Sequence, residues 1–156
     1  MTDLPAGAPE AALHGTILYI EDDPVSSVLV EDVLRTFHPQ LSLLRAATGG
    51  EGVRLAREQH PDLVLLDMHL PDTSGLEVIR ELNREIATGA FRIVLLTADR
   101  ISTDILKALS LGAYEYWSKP INLAQFSSGI RRALKGERAQ LPAHLAEAIS
   151  AGRLTA

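Results

Sequence analysis

The chain has 156 residues, 46% of them hydrophobic and 22% charged, with a formal net charge of -5 at pH 7. This length and composition fit one globular domain and exclude a collagen-like or largely disordered chain. The acidic balance and the lack of a long Lys/Arg run disfavour nucleic-acid binding, and a chain without cysteine forms neither disulfides nor thiolate zinc sites.

Residues 1–15 have no basic cluster and no apolar stretch of the length found in signal peptides. We predict a flexible N-terminal tail there. No stretch of the chain approaches the ~20 apolar residues that a membrane-spanning helix needs. The sequence therefore predicts a cytoplasmic protein that does not enter a membrane.

From residue 16 the chain alternates between short apolar runs and segments with helical periodicity, which is the pattern of successive βα units around a parallel sheet. Runs that are apolar at consecutive positions predict central strands covered on both faces by helices. The five predicted strands are ILYI (17–20), LSLL (41–44), DLVLL (62–66), RIVLL (92–96) and AYEYW (113–117).

Helix start signals follow the strands. Pro24 suits the first position of the first helix, and Asp23 is predicted to be its N-cap rather than a metal ligand. Ser74 and Asn122 each precede a Glu or Gln by three residues, the capping-box spacing, and are predicted to start the third and fifth helices. Helical spacing predicts that the first helix buries Val25, Val28, Leu29, Val33 and Phe37.

The second helix is predicted over residues 50–59 and the fourth over residues 102–111. The third is predicted to run without a break through the apolar positions Leu76, Ile79, Leu82 and Ile86.

The fifth helix is predicted to end at Gly136, which sets a domain over residues 16–135 and a C-terminal tail over residues 136–156. A marginal extra helix is compatible with the spacing of Leu141, Leu145 and Ile149 in that tail.

Polar residues follow the predicted strands at their carboxyl ends, the edge where open parallel sheets bind ligands. Three or four carboxylates brought together there repel one another unless a cation compensates them. The residues are Glu21, Asp22 and Asp23 after the first strand, Asp67 after the third, Thr97 and Ala98 after the fourth, and Lys119 and Pro120 after the fifth.

This set offers oxygen ligands alone, which favours a hard cation, and few carboxylates with room for water suit Mg²⁺ or Mn²⁺ better than Ca²⁺. Asp67 is ionised at neutral pH and can attack phosphorus without a general base, giving an acyl phosphate. The cation, the Lys119 ammonium and the Thr97 hydroxyl would stabilise charge on the transferred group.

In this order and spacing the residues resemble the response regulator receiver family, from Ile17 to about Leu134. The resemblance is carried by the pair Glu21 and Asp22, the LVLLDMHLPDTSG stretch around Asp67, the pair Thr97 and Ala98, and the YWSKP segment. It implies an α/β, flavodoxin-like (βα)5 doubly wound sandwich with a five-stranded parallel sheet in the order 2-1-3-4-5. It also implies a cis bond between Lys119 and Pro120.

The resemblance implies that Asp67 is the phosphorylation site and that Lys119 holds a phosphoryl oxygen. Asp22 and Asp67 would ligate Mg²⁺ (or Mn²⁺) together with the backbone carbonyl of His69, and Glu21 would help through water. Glu21 departs from the commoner aspartate of the family by one methylene, so we rank it below Asp22 as a ligand.

A switch is also implied, in which the Thr97 hydroxyl moves toward the phosphoryl group and Tyr116 turns inward. The switch would change the face made by the fourth helix, fifth strand and fifth helix. Expected partners are a histidine kinase or histidine phosphotransfer protein and a downstream effector protein on another chain, with a monomer or a weak dimer through that face. The protein is then not an enzyme, beyond catalysing its own phosphorylation and dephosphorylation.

Two other classes compete. A phosphatase of the haloacid dehalogenase kind also uses an aspartyl nucleophile, but it expects a second acid two residues later, where this chain has His69. A flavodoxin-like FMN binder needs phosphate donors after the first strand, where three acids would repel phosphate. Within the receiver interpretation, a free-standing regulator or phosphorelay shuttle and a receiver excised from a hybrid sensor kinase both stay open, since the ILYIEDDP opening is similar to the latter group.

The remaining aromatic and histidine residues suggest packing and surface roles. Strand alternation predicts that Tyr116 and Trp117 point to opposite faces, with Trp117 partly exposed. His69 and Asp99 are similar to family positions that tune loss of the phosphoryl group. The other histidines are predicted to lie at the surface, with no phosphohistidine candidate among His14, His38, His60 and His144.

Overall fold

The computed structural model describes residues 12–137, so the predicted C-terminal helix and most of the predicted N-terminal tail lie outside the described residues. The strands are β1 (Gly15–Ile20), β2 (Leu41–Ala46), β3 (Leu63–Leu66), β4 (Arg92–Thr97) and β5 (Glu115–Ser118). The helices are α1 (Pro24–Phe37), α2 (Gly49–Gln59), α3 (Gly75–Glu81), α4 (Asn83–Ala87), α5 (Thr103–Ser110) and α6 (Leu123–Lys135). No helix in this part of the chain combines the length and apolar character needed to cross a bilayer.

The strands form one parallel sheet in the order β2-β1-β3-β4-β5, which confirms the predicted fold class. In the register between β1 and β3, Ile20 lies opposite Leu66. The next residues, Glu21 and Asp67, therefore leave the sheet side by side, and the Asp67 N–H donates to the Ile20 carbonyl at 3.1 Å. Chain order reverses at this pair of strands, so the predicted crevice opens here.

Two hydrophobic clusters cover the two faces of the sheet. Along β3, Val64 and Leu66 belong to the cluster under α2, α3 and α5, whereas Leu63 and Leu65 belong to the cluster under α1 and α6. All four side chains are fully buried. Strands that are apolar at consecutive positions are therefore covered on both faces, as the sequence predicts.

The buried face of α1 differs from the predicted stripe. The predicted residues that prove exposed are Val25, Val28, Leu29 and Phe37, and the residues that are buried are Ser27, Val30, Val33 and Leu34. The prediction is wrong except at Val33. Apolar residues occupy two sides of this helix at helical spacing, and packing against α6 and β2 decides which side faces the core.

The third predicted helix is two helices. α3 ends at Glu81 and α4 begins at Asn83, while Leu82 between them has φ -91° and ψ 14°, outside the α-helical region. The apolar spacing continues across the break, because Leu82 is fully buried and Ile86 packs against the same cluster. Spacing alone therefore could not reveal the interruption. Because of the additional helix, the predicted fourth and fifth helices are α5 and α6 of the structure.

His38 is buried, so the prediction that it lies at the surface is wrong. It follows α1 as its C-cap residue, is 4% exposed, and its Nε2 forms a hydrogen bond of 2.8 Å with Ser127 Oγ on α6. Burial, and then the positive charge of Arg131, hold the pKa of His38 below its usual value of 6.5. A neutral His38 thus joins the end of α1 to α6.

This burial predicts a loss of stability in mild acid. Because the pKa of His38 is lower in the folded than in the unfolded protein, the unfolded chain takes up the proton first. The free energy of unfolding should therefore fall as pH drops below about 6.5 and level off below the folded pKa, by at most about 1.4 kcal/mol per pH unit. Urea unfolding of the wild type and of His38→Gln at several pH values measures this change in the free energy of unfolding.

The matched control for this experiment is His14→Gln, which removes an exposed histidine. The His38→Gln variant should lose less stability between neutral and acid pH than the wild type does. The control should follow the wild type. An equal acid loss in all three proteins would contradict the role of His38.

Candidate functional site

Three carboxylates meet at the carboxyl ends of β1 and β3. One oxygen from each of Glu21, Asp22 and Asp67 lies within 4.8 Å of the others. We call this set the acidic cluster. Glu21 is 4% exposed and Asp67 8%, whereas Asp22 is exposed to solvent. The structure thus brings together the three acids singled out from the sequence, and it leaves Asp23 outside as the N-cap of α1, as predicted.

Lys119 reaches the acidic cluster from the end of β5. Its ammonium donates to Glu21 Oε1, and it lies 3.9 Å from Asp67 Oδ2. The Lys119 N–H donates to the Thr97 carbonyl at 2.9 Å, which ties the end of β5 to the end of β4. The bond from Lys119 to Pro120 is cis, as expected. A cation that is distant in sequence therefore sits against two buried acids.

The Glu21 carboxylate is bound by three donors. Besides Lys119, the Tyr19 hydroxyl donates to Oε1 at 3.2 Å and the Asp23 N–H donates to Oε2 at 3.2 Å. Burial, and then the negative charge of Glu21, raise the pKa of Tyr19 far above its usual value, so this phenol stays protonated and acts as a donor. These bonds compensate much of the cost of burying the Glu21 charge.

Thr97, Tyr116 and Asp99 form a second group beside the acidic cluster. Thr97 is fully buried at the end of β4, and its hydroxyl accepts the Asp99 N–H at 3.4 Å. The Tyr116 hydroxyl donates to the Asp99 carbonyl at 2.6 Å. Burial, and then the Asp99 charge, raise the pKa of Tyr116. Tyr116 packs against the α5 side of the sheet and Trp117 against the α6 side, which confirms their predicted opposite directions.

The segment between β3 and α3 is fixed at both ends and at its tip. The Gly75 N–H donates to the Met68 carbonyl at 2.8 Å, and a Cβ at Gly75 would lie 2.7 Å from the Asp67 carbonyl oxygen, so no side chain fits there. At the tip, the two Asp72 oxygens accept the N–H groups of Gly49 and Gly50 at 2.8 and 2.9 Å. Asp67 is thus held on a short, well-anchored segment.

His69 projects from this segment into solvent, with its Nε2 2.7 to 2.8 Å from the Asp99 carboxylate oxygens. The contact joins the segment after β3 to the segment after β4, at the opening of the site. The two residues in this contact, His69 and Asp99, are the positions that the resemblance connects with the rate of phosphoryl loss. Their effect on that rate stays a prediction.

The donor set fits a hard divalent cation. Three carboxylates against one ammonium leave a formal charge of -2 within a few ångströms. The ligands on offer are oxygens, and one of the three acids faces solvent, where water can complete the coordination of a small ion. Like charges this close favour a bound cation.

Comparison with known proteins gives the family. A family model described as the response regulator receiver domain matches residues 17–131. This chain belongs to the response regulator receiver family. The matched residues contain β1 from Ile17 onward, the other four strands in full and all of the site residues named above, so the sheet and the acidic cluster fall within one family match.

Two relatives differ in how much of their own length the chain matches. The chain is 37% identical over 123 residues to the transcriptional regulatory protein AfsQ1 of Streptomyces coelicolor, which covers 78% of this chain and 52% of that protein. It is 31% identical over 120 residues to protein PilH of Pseudomonas aeruginosa, covering 77% and 98%. The chain thus spans about half the length of AfsQ1 and nearly all of PilH.

A solved relative is the receiver domain of the sensor histidine kinase PA1611 from Pseudomonas aeruginosa, described with a magnesium ion coordinated in its active-site cleft. It is 28% identical, has a TM-score of 0.69, and covers 79% of this chain and 99% of that domain. A receiver fold with this likeness therefore accommodates magnesium in its cleft.

Two residues of this receiver site were missed from the sequence. Tyr19 lies on β1 two positions before Glu21, which directly follows the strand. Strand alternation continued by one residue places both side chains on one face, so this contact could have been predicted from the sequence. Asp72 lies in the segment between β3 and α3, and its side chain reaches the first residues of α2. That contact depends on how the two elements pack, so no local pattern predicts it.

Proposed function

We propose that the chain works in phosphorelay signalling, accepting a phosphoryl group on Asp67 in a magnesium-dependent reaction. The donor would be a histidine kinase or a histidine phosphotransfer protein, and the readout an effector protein on another chain. The observation that carries the proposal is the acidic cluster with the Lys119 ammonium against it. The family match supports the same conclusion.

In the transfer, an Asp67 oxygen attacks the phosphorus of a phosphohistidine. The new P–O bond forms as the P–N bond breaks, and the imidazole leaves with the bonding electron pair. No general base is needed, because a carboxylate nucleophile has no proton to lose when it attacks. Lys119, 3.9 Å from the Asp67 carboxylate, is placed to bind a phosphoryl oxygen, and the buried Thr97 hydroxyl can donate to another.

Asp22, Asp67 and the backbone carbonyl of His69 would hold the magnesium ion, with Glu21 contributing through water. When bound, the ion neutralises charge that develops on the transferred phosphoryl oxygens. The charge of -2 left by the acidic cluster and Lys119 supports this assignment, as does the magnesium described in the PA1611 receiver.

Signal output would use the face formed by α5, β5 and α6. Thr97 and Tyr116 both contact Asp99, so a shift of the Thr97 hydroxyl toward a phosphoryl group changes the environment of Tyr116. Tyr116 lies on β5 in the middle of that face. A local charge change would thereby alter the surface offered to the effector, or to a second copy in a weak dimer.

Magnesium dependence is the direct test. With acetyl phosphate as donor, the intact mass of the protein should increase by one phosphoryl group when Mg²⁺ is present and stay unchanged when EDTA removes it. Phosphorylation at equal rates in both conditions would contradict the proposal. The phosphatase alternative instead expects continuous release of phosphate from p-nitrophenyl phosphate, which we expect to be absent.

A further inference from the structure

A buried tyrosine donates to the acidic cluster from inside the sheet. Tyr19 is fully buried on β1, in the cluster under α1 and α6, and its hydroxyl donates to Glu21 Oε1 at 3.2 Å. A buried phenol that lacks an acceptor is costly, so this contact stabilises both groups. Tyr19 touches neither the phosphoryl acceptor nor the solvent-exposed ligand by any hydrogen bond found in residues 12–137.

Glu21 links this tyrosine to Lys119. The same oxygen, Oε1, accepts from the Tyr19 hydroxyl and from the Lys119 ammonium, while Oε2 accepts the Asp23 N–H. The Glu21 side chain is 1% exposed, so protein groups rather than bulk water set its orientation. Of its two side-chain donors, Lys119 hangs on a flexible stem, whereas Tyr19 is rigid and sits within the sheet.

We infer that Tyr19 is a positioning residue, which fixes the Glu21 carboxylate so that Glu21 holds Lys119 between itself and Asp67. The inference rests on the proposed function and deepens it. Glutamate carries one methylene more than the commoner aspartate, which lets its carboxylate reach the Tyr19 hydroxyl and Lys119 together. Glu21 then acts first as the anchor of Lys119 and only through water on the cation.

The consequence is a preorganised site. With Tyr19 in place, the Glu21 carboxylate and the Lys119 ammonium keep one arrangement. The divalent cation can then bind beside Asp22 and Asp67 without moving Glu21 or Lys119. Without the hydroxyl, a buried charge loses a donor and can reorient, so cation binding must first restore the arrangement. Hydrogen bonds to charged groups are worth enough to change an affinity about tenfold when one is lost.

The test is Tyr19→Phe, which keeps the ring that fills the core and removes only the hydroxyl. Its matched control is Tyr114→Phe, since Tyr114 is 8% exposed and its hydroxyl donates to the Glu137 carbonyl at 2.8 Å, away from the site. Both variants should lose similar stability in urea. Mg²⁺ binding, measured by calorimetry with the metal alone, should weaken about threefold to tenfold in Tyr19→Phe and change by less than about twofold in the control.

A double-mutant cycle separates positioning from a general structural effect. In a Glu21→Asp background the shorter side chain no longer makes the Tyr19 contact, so adding Tyr19→Phe should change the Mg²⁺ affinity by less than about twofold. Equal effects of Tyr19→Phe in both backgrounds would overturn the inference. So would unchanged or tighter Mg²⁺ binding by the single variant.

A measurement on the wild type covers the case in which Tyr19→Phe does not fold. The Tyr19 hydroxyl proton should exchange slowly with solvent and shift its NMR resonance on addition of Mg²⁺, while that of Tyr114 should not shift. No shift at Tyr19 would overturn the inference. If the wild type binds no Mg²⁺ and accepts no phosphoryl group, the proposed function itself fails; if it does both and Tyr19→Phe matches it, only the positioning role fails.

Discussion

Asp67→Asn will show no phosphoryl adduct with acetyl phosphate and Mg²⁺ under conditions that fully label the wild type. The side chain keeps its size at the end of β3, but an uncharged amide is a poor nucleophile and forms no acyl phosphate. Asp67 is 8% exposed and lies within the acidic cluster, with the Lys119 ammonium 3.9 Å from its Oδ2, so the variant removes the carboxylate around which these groups are arranged. Intact-mass spectrometry of both proteins measures the result.

The control for this prediction is Asp62→Asn. Asp62 directly precedes β3, at the end of the strand away from Asp67, and its Oδ2 accepts the Thr16 N–H at 2.8 Å. The Asp62→Asn variant should be phosphorylated on Asp67 at the wild-type rate. Labelling of Asp67→Asn to the wild-type extent would remove the site assignment, and loss of labelling in Asp62→Asn would indicate that fold damage rather than the nucleophile explains the effect.

The fold was readable because its signals are local. Four consecutive apolar residues in β3 require cover on both faces, and alternating βα units supply that cover by placing helices on both sides of a parallel sheet. Start signals for α1, α3 and α6 are side-chain caps that bond within their own first turn: Asp23, Ser74 and Asn122 each accept backbone N–H groups there.

The errors come from features that only packing decides. α1 offers two apolar sides, and the one against α6 and β2 is buried. His38 carries no local sign of burial, because its partner Ser127 lies on α6, far along the chain. Leu82 keeps the apolar spacing while its backbone leaves the helix, so periodicity and conformation separate at that residue.

The candidate site was predictable in membership but not in orientation. Strand ends of a parallel sheet share an edge, which is enough to bring Glu21, Asp67 and Lys119 together. Ranking Glu21 below Asp22 followed from side-chain length alone. The structure buries Glu21 under Lys119 and Tyr19 and leaves Asp22 in solvent. This difference depends on a contact between the residues that directly follow β1 and β5.

Lys119→Ala will keep the fold but lose most of the phosphorylation-dependent switch. Lys119 is the cation that contacts both Glu21 and Asp67 among residues 12–137, and removing it leaves a phosphoryl group on Asp67 without its charged donor. Loss of one such donor costs on the order of 10²-fold in rate, so labelling by acetyl phosphate should slow by that order. In the Lys119→Ala molecules that do become phosphorylated, Thr97 and Tyr116 should adopt the switched arrangement less fully than in the wild type.

The fluorescence of Trp117 offers a readout for this switch, since it is the single tryptophan of the chain and lies next to Tyr116 on β5. Wild-type emission should change on phosphorylation, while Lys119→Ala at matched labelling should show little change. Lys135→Ala, which removes an exposed lysine at the end of α6, should respond like the wild type. A full emission response in Lys119→Ala would show that the ammonium does not couple Asp67 to β5, because the charge on Asp67 would then reach Tyr116 without it.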